Sequence, residues 1–344
     1  MRAVRLTGWQ RPPDLCEIPR PVAAPGGVVL RVAGAGLCHS DLHLMHWPAG
    51  TLPYELPFTL GHEVTGTVAE LGPGANGVEV GDEVIVYGPW GCGTCRRCSA
   101  GEEHLCERRS LQRGCGLGRD GGLAEYLAVP SPRLLVPLGG LDPVAAAPLA
   151  DAALTPYHAI RRALPYLRPG DRAVVIGVGG LGHVAVQLLA ALCSARIVAV
   201  DVREEALELA REAGAAEGVP AGDDALAAIG SGAAAVVLDC VGSDATLALA
   251  AAVVAPGGHL SIIGMAGGTF PLRRGAVPME TTVVMSNWGT RAELADVVAL
   301  ARDGVIRLAV EPVALEDVPA AYERLERGEV RGRVVALPNR GEAA

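Results

Sequence analysis

The stretch Ala173-Val-Val-Ile176-Gly177-Val-Gly179-Gly180-Leu181-Gly182 decides the fold. A strand-sized apolar run, Ala173 to Ile176, breaks into glycines spaced G-x-G-x-x-G, and His183 to Cys193 follows with the length of a helix. Asp201 closes the next apolar run, Arg196 to Asp201, 19 residues beyond Gly182. In that setting the glycines permit a tight turn and let a pyrophosphate approach a helix N-terminus, while the acid accepts bonds from ribose hydroxyls. Gly177, Gly179, Gly180, Leu181, Gly182 and Asp201 are therefore the expected dinucleotide-binding set. Arg203 is expected on the adenine or ribose rim. An acid at position 201 would repel a 2′-phosphate, which predicts NAD over NADP.

The pattern continues on the C-terminal side. Glu204 to Ala213 reads as a helix stopped by Gly214, and Ala234 to Val241, His259 to Met265 and Thr281 to Ser286 read as strands. The first two are joined by the alanine-rich helix after Ser243. Such alternation specifies a doubly wound parallel sheet with helices on both faces. A further helix, Arg291 to Arg302, and a last strand, Arg333 to Leu337, close the chain. Residues 1 to about 150 differ: short β-branched runs such as Val28 to Val32 and Glu83 to Tyr87, punctuated by Gly and Pro, read as mostly antiparallel sheet.

Composition removes several functions. The chain has 344 residues, mean hydropathy +0.31 and formal charge −9; all 29 basic residues are Arg. Length predicts two domains. The acidic balance disfavours a nucleic-acid surface, and the lack of Lys excludes pyridoxal-phosphate Schiff bases and phosphate loops ending in Gly-Lys-Ser/Thr. Two uncharged windows, Ala173 to Ala195 and Ala245 to Leu272, are long enough for a membrane span but are broken by glycines and Pro256, so no membrane association is expected. The N-terminus shows no secretory pattern, and the expected location is cytoplasmic.

Nine cysteines in a reducing compartment point to metal before disulfides. Cys92, Cys95 and Cys98 at C-x-x-C-x-x-C spacing, followed by Cys106, can close a tetrahedron around Zn²⁺. Arg96, Arg97, Arg108 and Arg109 would balance its negative charge. A second concentration of donors is Gly36-Leu-Cys38-His39-Ser40-Asp41-Leu-His43 with Gly61-His62-Glu63. Of the remaining cysteines, Cys193 and Cys240 sit in apolar elements and read as core; Cys16 and Cys115 are expected to be inert.

The motifs GLCHSD, GHEVTGTV, the four-cysteine lobe, LADAALTPYHA, GVGGLG and VRGRVV together resemble the zinc-dependent medium-chain alcohol dehydrogenases over essentially the whole chain, in particular bacterial secondary-alcohol dehydrogenases or carbonyl reductases. The resemblance implies an α/β protein: a chaperonin-10-like, mostly-β catalytic domain from residues 1–151 and 288–344, and a Rossmann coenzyme domain from 152–287. It implies one catalytic and one structural Zn²⁺ per chain. Cys38 and His62 match catalytic-zinc ligands, and the third position falls on Asp151, where many relatives have Cys. Glu63 matches an acid behind the metal, Asp41 a residue orienting His62, Ser40 and His43 a proton relay, and His39 and Arg331 cofactor-pyrophosphate contacts. Tyr54, Trp90 and Trp288 are expected pocket walls. The implied activity is reversible hydride transfer between an alcohol, most simply a secondary one, and NAD, in a homodimer or homotetramer acting on a small-molecule substrate. A polyol or sugar-alcohol dehydrogenase is the alternative, followed by a catalytically silent nucleotide-binding relative.

Overall fold

A computed structural model describes residues 1–108 and 114–339, so Arg109 lies outside the described residues. The chain divides into two compact units: 1–151 with 289–304 and 308–344, and 152–288 with 305–307.

The second unit carries a six-stranded sheet in the order Glu217–Pro220, Arg196–Asp201, Arg172–Ile176, Ala234–Asp239, Val254–Ile262, Thr282–Met285, every neighbouring pair parallel. Crossover helices such as Gly182–Leu192, Glu204–Glu212 and Asp244–Val253 make parallel pairing possible. Val174, Ile176, Val198, Val200, Val237 and Leu260 form the centre of its core, the continuous apolar reading typical of strands covered on both faces. Two expectations shift. The strand Glu217–Pro220 had no apolar run to announce it, and its proline is tolerated because the strand lies at the sheet edge. Trp288, expected in the returning segment, groups with this unit, as do Val305–Arg307, since the Gln187 side chain bonds both the carbonyl and the N–H of Arg307 at 2.9 and 2.8 Å.

The first unit holds a seven-stranded, mainly antiparallel sheet. Along its main path Leu135–Pro137, Glu83–Val86, Glu63–Leu71, Val28–Gly36, Arg333–Leu337 and Val310–Ala314 are neighbours, and Tyr126–Val129 also pairs with Val28–Gly36. The last two strands of the path are parallel to each other. The C-terminal strand therefore lies beside the strand that leads into Cys38, and the returning chain enters the same core. Among the described residues no helix is long and apolar enough to cross a membrane.

Candidate metal centres and nucleotide turn

Cys38 follows the strand Val28–Gly36 and caps the helix His39–His46, with extended backbone at φ −126° and ψ 153°. Its N–H donates to Asp41 Oδ2 at 3.0 Å, which fixes the first turn. Gly36 is required here because a Cβ would lie 2.0 Å from Glu63 Oε2. His62 sits just before the strand Glu63–Leu71, after Gly61, whose φ of +91° favours glycine. Asp151 ends the short 3₁₀ turn Ala147–Ala150.

These three segments converge. One ligand atom each from Cys38, His62 and Asp151 lies within 4.8 Å of the others, and all three residues are buried. Cys38 Sγ is 3.6 Å from Asp151 Oδ2, and His62 Nε2 is 3.7 Å from the same oxygen. His62 Nδ1 is turned the other way, 3.3 Å from Asp41 Oδ1. Burial disfavours charge on His62, but Asp41, Asp151 and Cys38 more than offset it and hold its pKa well above the usual imidazole value. A buried set of donors that pulls in a proton this strongly fits a bound cation, and one thiolate, one imidazole and one carboxylate suit Zn²⁺ with a position left open.

Behind the three donors, Glu63 is fully buried and accepts from Arg333 Nε at 3.1 and 3.2 Å. Burial raises the Glu63 carboxyl to about 6 against the opposing pull of Arg333. Arg333 Nη2 also reaches Asp151 Oδ2 at 3.4 Å. The sequence does not single out Arg333; Arg331, two residues earlier, is expected at the cofactor pyrophosphate, a different role. In the structure Arg331 is exposed, whereas Arg333 is 3% exposed and points into the cluster. Tyr322 was also missed; its hydroxyl donates to Asp41 Oδ2 at 2.9 Å.

Ser40 Oγ lies 3.5 Å from Cys38 Sγ. His43, on the same helix, stacks near Trp47 at 6.1 Å between ring centroids, and desolvation followed by His46 lowers its pKa. His39 is exposed at the helix start. Of the expected pocket walls, Tyr54 meets Phe58 edge-on at 6.0 Å, and Trp90 is buried with its Nε1–H on the Tyr87 carbonyl at 3.0 Å. Trp288 is buried in the other unit.

The four-cysteine cluster is separate. Cys92, Cys95, Cys98 and Cys106 bring their sulfurs within 4.8 Å of one another around the one-turn helix Arg96–Ser99. Backbone N–H groups aim at the sulfurs: Cys95 N–H at Cys92 Sγ, 3.3 Å, Cys98 N–H at Cys95 Sγ, 3.5 Å, and Cys92 N–H at Cys106 Sγ, 3.4 Å. N–H bonds from Thr94 and Cys95 draw the Cys92 thiol down to about 6, while burial pushes Cys98 up to about 12. Backbone N–H donors on three of four clustered sulfurs fit thiolates around a tetrahedral cation. Arg133 pairs with the buried Glu103 beside the lobe.

In the second unit each glycine of the turn has its own reason. Gly177 has φ +83°, and a Cβ there would lie 2.4 Å from Val241 Cγ2. At Gly182 a Cβ would meet the Gly177 carbonyl at 1.9 Å, while at Gly179 it would meet nothing within 4 Å. The middle glycine therefore leaves open space at the helix start, which is where a pyrophosphate needs the backbone bare. Asp201 accepts from Val178 N–H at 2.7 Å and Arg203 N–H at 3.0 Å, so its carboxylate also braces the turn.

Two family models match the chain: the alcohol dehydrogenase GroES-like domain over residues 24–139 and the zinc-binding dehydrogenase over residues 180–303. An NAD-dependent alcohol dehydrogenase of Sulfurisphaera tokodaii is 36% identical, covering 98% of this chain and 100% of that one. The D-arabinose 1-dehydrogenase (NADP(+)) of Saccharolobus solfataricus is 35% identical, over 98% and 97%. The crystal structure of the alcohol dehydrogenase from Aeropyrum pernix superposes with a TM-score of 0.91 at 37% identity, over 98% and 100%. The chain belongs to the zinc-type medium-chain alcohol dehydrogenase family. Its two units carry that family's pairing of a GroES-like domain with a Rossmann-type domain.

Proposed function

We propose that this chain interconverts secondary alcohols and ketones, a specific case of the NAD-dependent alcohol dehydrogenase activity that its family membership gives it. The observation that carries the reading is the buried convergence of Cys38, His62 and Asp151 with Ser40 beside it. Cys38, His62 and Asp151 would hold Zn²⁺, which supplies the Lewis acidity that makes a substrate hydroxyl easier to deprotonate. Ser40 accepts the hydroxyl proton while giving up its own toward His43, whose pKa desolvation lowers, and from there to solvent. Asp41 orients His62, and Glu63 with Arg333 sets the charge behind the donors. Cys92, Cys95, Cys98 and Cys106 would hold the second Zn²⁺ in a closed, structural set. Gly177, Gly179, Gly180, Leu181, Gly182, Asp201, Arg203, His39 and Arg331 would hold NAD, which supplies the hydride acceptor.

The proposal extends to location and assembly. The clustering of Cys92, Cys95, Cys98 and Cys106 as a metal-type donor set supports the reducing cytoplasm, and the edge strand Thr282–Met285, with Met285 87% exposed, supports pairing of chains into a homodimer or homotetramer.

A second reading, oxidation of sugars or polyols, is favoured by the 35% identity to the D-arabinose enzyme. Following NADH absorbance across primary, secondary, aryl and polyol alcohols separates the two: the highest kcat/KM is expected on a secondary alcohol, and turnover confined to sugars would replace the first reading with the second. For cofactor choice, the wild type is expected to prefer NAD over NADP at least about tenfold in kcat/KM, roughly 1.4 kcal/mol, and Asp201→Gly to erode that ratio. Equal efficiency with both cofactors in the unaltered protein would remove Asp201 as the determinant.

A further inference from the structure

Asp41 is the point at which the buried site is tied together. It is fully buried. Its Oδ2 accepts the Cys38 N–H at 3.0 Å and the Tyr322 hydroxyl at 2.9 Å, which leaves Oδ1 aimed at His62 Nδ1, 3.3 Å away. One carboxylate thus governs two of the three converging donors: Cys38 through its backbone and His62 through its ring. Tyr322 comes from the helix Val318–Glu326, 281 residues further along the chain, and is itself buried. Two donors on one oxygen fix the plane of a carboxylate, whereas one donor lets it turn. With the plane fixed, Asp41 Oδ1 faces Nδ1 at 3.3 Å and favours a proton there when Nε2, 3.7 Å from Asp151 Oδ2, holds a cation.

We propose that Tyr322 is a positioning residue for the metal-holding His62, acting through Asp41. The proposal rests on the ligand set given under Proposed function. The same returning segment therefore serves both sides of the site, Tyr322 behind Asp41 and Arg333 behind Glu63 and Asp151.

The test compares wild type, Tyr322→Phe and Leu325→Ala as purified holoenzymes. Phe keeps the buried ring and removes only the hydroxyl; Leu325 is a buried neighbour on the same helix and controls for general loosening. Metal content is counted, release to a chelator is followed with a chromogenic zinc indicator, and kcat and KM are measured. Tyr322→Phe is expected to release one of two metals about tenfold faster than wild type, with the other unchanged, and to lower kcat with the KM for NAD unaltered. Leu325→Ala is expected to release both at the wild-type rate. A Tyr322→Phe protein with wild-type release and kcat overturns the proposal alone, as does Leu325→Ala matching its acceleration. A wild type that binds only one metal overturns the ligand set on which the proposal rests.

Discussion

Two clusters of metal-type donors occupy the same unit and are built in opposite ways. The cysteine lobe takes four sulfurs from the single stretch Cys92 to Cys106, with two of them half-exposed and backbone N–H groups as its main support. The other cluster takes one donor each from positions 38, 62 and 151, buries all three, and draws its support from side chains as distant as Tyr322 and Arg333. Locally encoded ligands of one kind complete their own shell and hold a fold together. Dispersed, mixed ligands leave a position open and depend on the whole unit being folded, the arrangement that chemistry requires.

The sharpest break between the two is expected from Asp151→Asn. It should lower kcat/KM by about a thousandfold or more, an effect of roughly 4 kcal/mol, while one metal per chain and the melting temperature are largely retained. Asp151→Cys should recover the second metal. A fully active, two-metal Asp151→Ala protein would show that the carboxylate is not a ligand.

Cys95→Ser should do the reverse. Loss of one thiolate opens the lobe's tetrahedron and should lower Tm by roughly 10 °C, because structural zinc contributes directly to folding. The molecules that remain folded should keep kcat/KM within about threefold. Unchanged melting with both metals retained would contradict the assignment of the four cysteines.

The smallest effect concerns how the lobe is attached. Arg133 pairs with Glu103, which is 5% exposed, so Arg133→Ala leaves a buried carboxylate short of its partner and should cost about 1–3 kcal/mol in denaturant unfolding. Activity should be unaltered. A drop in kcat as large as that of Asp151→Asn would mean the two clusters are not independent.

The same contrast governs how much could be read from the sequence. The nucleotide turn and the cysteine lobe were legible because their chemistry is contiguous: a strand running into G-x-G-x-x-G and ending with Asp201 on the next strand, and thiols at two-residue intervals. Cys38 and His62 stood out as donor-rich clusters, but Asp151 lies in an apolar stretch and was reached only by resemblance. Tyr322 and Arg333 left little local trace. In VRGRVV the two arginines look equivalent, and only strand register separates them: Arg333 opens the strand Arg333–Leu337 opposite Val310 and faces inward, while Arg331 precedes it in the open. The strand Glu217–Pro220 was missed because an edge strand needs few apolar residues.

The choice of donor atoms also decides where an oxidant can do harm. Cys92, half-exposed, holds its Sγ 3.9 Å from that of the buried Cys98, so loss of the cation there places thiols within reach of one another and leaves Cys92 within reach of peroxide. Cys38 is the single sulfur among its three donors; it is buried, and its near neighbours are the oxygens of Ser40 and Asp151. With a carboxylate in the third position, the three donors of the dispersed site include one thiol and so cannot form a disulfide among themselves. Oxidative inactivation of this protein should therefore begin as unfolding of the lobe.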